Sequence, residues 1–116
     1  MKKNPKIFIG HILECIERIE EYTKNTSKEK FYASVELQDA VIRRIEIIGE
    51  AVKNIPKETK DKYKDIAWKD IAGMRDILIH GYFGVDLEIT WKVVKQDIPD
   101  LKKKLLKVKK DLESAG

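Results

Sequence analysis

Apolar positions recur along this chain at the three- and four-residue spacings of helices, and no run alternates with a two-residue period between turns. Pro5 suits a first helical turn. Phe8, Ile12, Cys15/Ile16, Ile19 and Tyr22 then mark one face of a helix reaching about Thr23. The polar stretch "NTSKEK" interrupts the pattern and offers Thr26 and Ser27 as N-caps. A long helix over about residues 28–54 is predicted next, because Val41, Ile45, Ile48, Val52 and Ile55 hold 4-3-4-3 spacing. Ile42 and Ile47 widen its stripe beyond a one-partner seam, so it predicts two neighbours, one of which can be another chain. Pro56 stops this helix, and "PKETKDKYKD" reads as a charged connection with one helical turn. Ala67, Ile71, Met74 and Leu78 define a further helix, entered near Trp68 and ending around Gly81, with Gly81 and Gly84 flanking Tyr82-Phe83 as its exit. Asp86 can cap the next helix, which carries Leu87, Ile89, Trp91 and Val94. Pro99 either opens a last helix or kinks the one before it. The expectation is an all-α antiparallel bundle of four or five helices. It forms one domain over 1–116, with no internal repeat or low-complexity segment.

Composition supports this picture. A chain of 116 residues can close one core without disulfides or a structural metal. Its 42% hydrophobic and 38% charged residues suit a helical protein with a densely charged surface. Its apolar runs fall far short of the roughly 20 residues that span a bilayer. At the N-terminus His11 and Glu14 break the apolar patch and no small-residue cleavage site follows, so a cytoplasmic protein is expected, without a signal peptide or membrane anchor. The single Cys15 lies in an apolar helical pattern and reads as a buried thiol in a reducing cytosol, ahead of a nucleophile or metal ligand. The net charge of +4 is carried by the last stretch, where Lys102, Lys103, Lys104, Lys107, Lys109 and Lys110 face only Asp111 and Glu113. Such a basic stripe can attract nucleic acid. Leu101, Leu105, Val108 and Leu112 recur beneath the lysines, so a solvated helix face is the favoured reading.

The stretch with the densest chemistry is "GMRDILIHGYFGVD", Gly73 to Asp86, carrying Arg75, Asp76, His80 and Tyr82. On a regular helix Arg75 and Tyr82 lie about 20° from alignment, and Arg75 and His80 about 140° apart. Asp76 and His80 are i, i+4 neighbours able to share a hydrogen bond. Arg75 and His80 therefore converge on one ligand only if the helix loosens near Gly81 or a second copy of the chain completes the site. A carboxylate beside a histidine raises its pKa and fixes its ring, and an arginine offers a fork suited to phosphate oxygens. These are the parts needed to cleave RNA without a metal: histidine moves a proton from the 2′-hydroxyl or to the leaving oxygen, and arginine stabilises the charged phosphorane. They are also what the C-terminal end of a helix dipole favours.

The run Arg75-Asp76-x-x-x-His80-x-Tyr82 resembles the R-x4-H-x-Y signature of HepT-type proteins in the HEPN superfamily. The likeness extends over most of the chain. "IEIIGEAVKNIP" is similar to the family's long second helix, "WKDIAGMRDILIHGYFGVD" to its core, and "TWKVVKQDIPDLKKKL" to the segment that follows. The resemblance implies a helical homodimer in which motifs from two subunits face one cleft. It implies a ribonuclease toxin that acts on RNA without a metal and with no cofactor. It also implies a minimal nucleotidyltransferase antitoxin that silences the toxin by transferring AMP to the motif tyrosine. Carried over residue by residue, Arg75 binds or stabilises phosphate, His80 is the acid/base, Asp76 orients it and Tyr82 accepts AMP.

Other residues read more plainly. His11 is a packing or surface histidine, and no Cys/His/carboxylate cluster has zinc-ligand spacing. Trp68, Trp91, Tyr63 and Phe83 read as core or interface aromatics rather than base-stacking platforms. Glu46 and Glu50 are placed to pair with Arg43, Lys53 or the site arginine, or to be ordinary surface charges. Two functions follow: a HEPN ribonuclease toxin, or a catalytically inactive HEPN subunit that binds and regulates a nucleotidyltransferase. Only the first requires Arg75 and His80 to do chemistry.

Overall fold

The structure, a computed structural model, describes residues 3–79 and 84–115. Among them the chain is helical with no strand, the one extended pairing being an isolated antiparallel bridge between Ile79 and Val85. Helix α1 (Pro5–Thr23) begins where Asn4 accepts a hydrogen bond from the Lys6 N–H and Pro5 stands at the first helical position. Its inward face is Ile9, Ile12, Cys15, Ile16, Ile19 and Thr23; Phe8 and Tyr22, at the edges of the expected stripe, are only partly covered. Burial pushes the Cys15 thiol above its ordinary pKa, as a packed cysteine should be.

The long helix expected over 28–54 is two helices. α2 (Lys28–Ala33) and α3 (Val35–Lys53) are separated by Ser34, whose backbone is extended. The reason is local polar chemistry. The Ser34 hydroxyl accepts from the Leu37 N–H at 3.1 Å and so starts a new helix. Gln38, 8% exposed, turns back to donate to the carbonyls of Phe31 and Tyr32 at the end of α2. Apolar periodicity does not register this break, because Val41, Ile45, Ile48 and Val52 all fall after it.

α3 is the central helix, and its width is consumed inside the chain. α1 packs along one flank and the two short helices α5 (Trp68–Ala72) and α6 (Met74–Leu78) along the other. Val41, Ile42, Ile45 and Ile48 are all buried, so the wide stripe needs no second chain to cover it. α1 runs antiparallel to α3, since Lys3 before α1 bonds to Asn54 at the end of α3. α4 (Lys57–Lys62) fills the charged connection, and Trp68 donates its indole N–H to the Tyr63 carbonyl at 3.0 Å within the core.

The helix expected from Trp68 to Gly81 is also interrupted. It breaks at Gly73 and ends at Leu78, where Ile79 is extended. Beyond it, the bridge from Ile79 to Val85 and the bond from the Asp86 N–H to the Leu78 carbonyl, 2.7 Å, hold the two ends of 79–85 together. Gly84 has φ +85°, a left-handed conformation that any other residue would adopt only with strain. Helical-wheel angles therefore cannot be carried past Leu78. α7 (Leu87–Lys92) is capped by Asp86, whose side chain accepts from the Ile89 N–H at 3.0 Å.

Pro99 falls in the first turn of the last helix, and no gap separates that helix from the one before it. A π-helical turn, Val93–Asp97, links α7 to α8 (Ile98–Ala115) without a break, with the Ile98 N–H bonded five residues back to Val93. Proline cannot donate to its fourth predecessor and its ring crowds that carbonyl, and a widened turn just before Pro99 relieves both. α8 buries Leu101, Leu105 and Val108 and leaves Lys103, Lys107, Lys109 and Lys110 exposed. It is tied down by Lys102 on Glu20, 2.8 Å, which sets it antiparallel to α1, and by the Tyr63 hydroxyl donating to Asp111, 3.0 Å. Among the described residues no helix is long and apolar enough to cross a membrane.

Two outcomes test this packing. Gly10, on the outer side of α1, has nothing within 4 Å of an added Cβ, so Gly10→Ala should gain about 1 kcal/mol of helix propensity. At Gly49 the same Cβ would lie 3.1 Å from the Ala72 carbonyl oxygen, and overpacking of about 1–3 kcal/mol should outweigh that gain. Urea midpoints should thus move in opposite directions; an equal gain in both variants would show that α5 yields freely. Burial, then the Asp111 hydrogen bond and charge, raise the Tyr63 pKa above its ordinary value of 10.0. A raised folded pKa contributes stability that is full below pH 10 and is lost as pH climbs through the folded value. Tyr63→Phe should cost about 1 kcal/mol near neutrality, with the gap to wild type closing at more alkaline pH. A gap that widened there would contradict the assignment.

Candidate functional site

On α3, Arg43, Glu46, Glu50 and Lys53 follow one another at i, i+3, i+7 and i+10, spanning about 80° of the helix surface. They lie opposite the buried row of Val41, Ile45, Ile48 and Val52, which turns this charged row outward. The facing wall comes from the α5–α6 corner. Gly49 lets that corner approach, since it has no side chain where Ala72 lies, and Gly73 then turns the chain into α6. Arg75 stands in the first turn beyond this corner and so faces the charged row of α3.

The contacts are specific. Arg75 Nε lies 3.3 Å from Glu46 Oε2, and Arg75 Nη1 donates to Asp76 Oδ1 at 3.4 Å. The other Glu46 oxygen, Oε1, accepts from Arg43 Nη1 at 2.5 Å, so one carboxylate bridges two guanidinium groups. Glu50 pairs with Lys53 at 3.2 Å. Of the pairings left open by the sequence, Glu46 therefore takes both Arg43 and the motif arginine, and Glu50 takes Lys53. Arg75 is 45% and Glu46 35% exposed, so each pair contributes only about 0–1 kcal/mol. Their effect is on orientation rather than on fold stability. Together with Ala72 and Asp76 these residues line an open depression of about 380 Å³.

Asp76 was expected to orient His80, and the contact it makes among the described residues is with Arg75. Its carboxylate is 82% exposed. His80 and Tyr82, with Phe83, lie outside the described residues. The ends of their segment are fixed beside α6 by the Ile79–Val85 bridge, five residues or fewer from Arg75 on one side. A second, larger depression of about 640 Å³ lies between α1 and the π turn, lined by Glu17, Glu20, Glu21 and Lys95 among others. It holds no motif residue, and its size alone gives it no chemistry.

The aromatics behave as packing groups. Trp68 is 8% exposed. Trp91 packs against Phe31 in a tilted pair with ring centroids 5.3 Å apart and carries Lys95 over its ring at 4.8 Å. His11 is an exposed histidine edge-on to Phe8. What sequence reasoning did not assign is Arg43. Its signal was the Arg43/Glu46 i, i+3 spacing, whose link to Arg75 appears only once α6 folds back on α3.

Comparison with known proteins finds relatives along most of the chain. A family model described as "Ribonuclease HepT-like" matches residues 12–108. A Thermococcus cleftensis protein named "Probable ribonuclease HepT" is 50% identical over 110 residues, covering 95% of this chain and 100% of that protein. A Methanocaldococcus jannaschii protein named "Gamma-glutamylcyclotransferase and putative RNase" is 60% identical over 113 residues, 97% of this chain. The chain spans only 51% of that longer relative. A further Methanocaldococcus jannaschii protein, named "Putative RNase", is 46% identical over 112 residues, 97% of this chain and 93% of its own length. No solved structure matches. With a family model spanning most of the chain and a relative matched along its whole length, this protein belongs to the HepT-like ribonuclease family.

Proposed function

We propose that the chain is an endoribonuclease of the HEPN type, needing no metal, and the toxin of a toxin–antitoxin pair. The observation that supports this most directly is the motif arginine itself. Arg75 is exposed at the rim of an open depression, oriented by Glu46, on the helix that leads directly into the segment bearing His80 and Tyr82. A guanidinium aimed this way can offer its fork to a phosphate oxygen. His80 then serves as the acid/base for attack by the RNA 2′-hydroxyl, and Asp76 supports the pair. The active unit is a homodimer whose two motif segments share one cleft. Val35 on α3, Ile77 on α6 and Ile89 on α7, exposed by 67%, 54% and 38%, are among the exposed apolar groups available to such an interface. α6 packs against both α3 and α7, so these groups sit on adjoining elements.

Cleavage of RNA by the purified protein tests the reading against an inactive regulatory subunit. Arg75→Ala and His80→Ala should each slow cleavage by about 100-fold or more. The products should carry 2′,3′-cyclic phosphates, activity should persist in EDTA, and light scattering should give about twice the 13.5 kDa chain mass. Full activity in both alanine variants would remove the residue assignment. Activity lost in EDTA and restored by magnesium would remove the mechanism.

Tyr82 is the proposed point of control. A partner nucleotidyltransferase of the minimal antitoxin type transfers AMP from ATP to its hydroxyl, releasing pyrophosphate. Each transfer adds a phosphodiester of about one negative charge two residues from His80, where it competes with RNA for Arg75 and blocks the cleft by bulk. Mass spectrometry after incubation with the partner, ATP and magnesium should find AMP on wild type and none on Tyr82→Phe. Equal labelling of the two would place the modification elsewhere.

A further inference from the structure

The charged row of α3 holds more than a support for the motif arginine. Glu46 uses its two oxygens on two different guanidinium groups, Arg43 at 2.5 Å and Arg75 at 3.3 Å. A carboxylate and a phosphodiester present comparable pairs of oxygens to an arginine fork. The place one carboxylate can bridge is therefore a place where the two non-bridging oxygens of a phosphate can meet the same two cations. We propose that Arg43 and Arg75 together grip one RNA phosphate, and that Glu46 is the internal anion this phosphate displaces. The assignment rests on the RNA-binding role proposed for Arg75, not on cleavage.

Three features of the site carry it. Arg43, Arg75 and Glu46 are 63%, 45% and 35% exposed, so an incoming strand reaches them without opening the core. At that exposure each carboxylate–guanidinium pair is worth about 0–1 kcal/mol, little enough for a doubly bonded phosphate to overcome. The remaining charges leave the exchange open. Glu50 is occupied by Lys53, and Asp76, 82% exposed and 3.4 Å from Arg75 Nη1, does not touch the Nε edge that Glu46 covers. Arg43 is held on the outer face of a long helix, one turn from Glu46, so its position does not depend on the motif segment. Displacing Glu46 exposes two cations at once, and this makes the clamp selective for a strand that can fill both.

The test uses the full chain and a fluorescent 2′-O-methyl oligoribonucleotide, which carries RNA phosphates but no attacking hydroxyl, in anisotropy titrations over a salt series. Arg43→Ala and Arg43→Gln should each weaken binding about 10-fold, and the salt slope should fall by about 0.7, the value of one lost phosphate contact on a single strand. Glu46→Gln keeps the shape and removes the charge, and should tighten binding about 3-fold. That gain should shrink when Arg43→Ala is also present. Circular dichroism checks that the variants are folded. Wild-type affinity in both Arg43 variants, or no binding by wild type, overturns the clamp. Weaker binding by Glu46→Gln makes Glu46 a positioning residue and overturns its role as competitor. A wild type that binds this probe but leaves ordinary RNA intact defeats the ribonuclease reading and preserves the clamp.

Discussion

The close approach of the α5–α6 corner to α3 at Gly49 decides where every described motif residue goes. The Ala72 carbonyl lies where a side chain at position 49 would begin, 3.1 Å from the ideal Cβ. A methyl group at that distance would fit only if the Ala72 backbone gave way by a few tenths of an ångström. The close approach also leaves little freedom for the next residues, because Gly73 turns the chain at once into α6. Arg75 follows two positions later and meets Glu46 from a fixed direction. The site is thus a consequence of helix packing, with weak ion pairs tuning the final orientation of one guanidinium.

That division of labour between packing and charge runs through the molecule. Branched aliphatic residues on α1, α3 and α8 are almost wholly covered and provide the main driving force for folding. The ion pairs lie mostly in water, where screening and side-chain entropy cancel most of their Coulomb gain. Losing any one of them would barely change stability. For the binding proposed at the α3 depression, the same weakness is an advantage. Charges held loosely by their partners can be handed to a ligand, whereas a buried pair could not be separated at comparable cost.

The segment carrying the motif is built differently from the rest. Its flanks are pinned by one isolated bridge and one short backbone bond, and Gly84 supplies the left-handed turn that brings Val85 back to Ile79. These contacts hold the chain on either side of His80 and Tyr82, which lie outside the described residues.

Much of this was legible in the residues themselves. Helical periodicity gave the class, the face of α1 from Ile12 to Ile19, the apolar stripe of α8, the Asp86 cap and the stop at Pro56, because each depends on neighbours within one or two turns. The motif spacing gave the family resemblance, since it is a property of order along the chain. The break at Ser34, the corner at Gly73 and the π turn before Pro99 escaped it. Ser34 depends on a buried Gln38 amide choosing the carbonyls of α2, and Gly73 on how near α5 sits to α3. The wide α3 stripe predicts two neighbours without naming them, and α1 on one side with α5 and α6 on the other cover Val41, Ile42, Ile45 and Ile48. The sequence could name Glu46 as a partner for some arginine; only the packing decided that it would hold Arg43 and Arg75 together. Periodicity records which face of a helix is apolar, but not which other helix covers it or what that helix brings along.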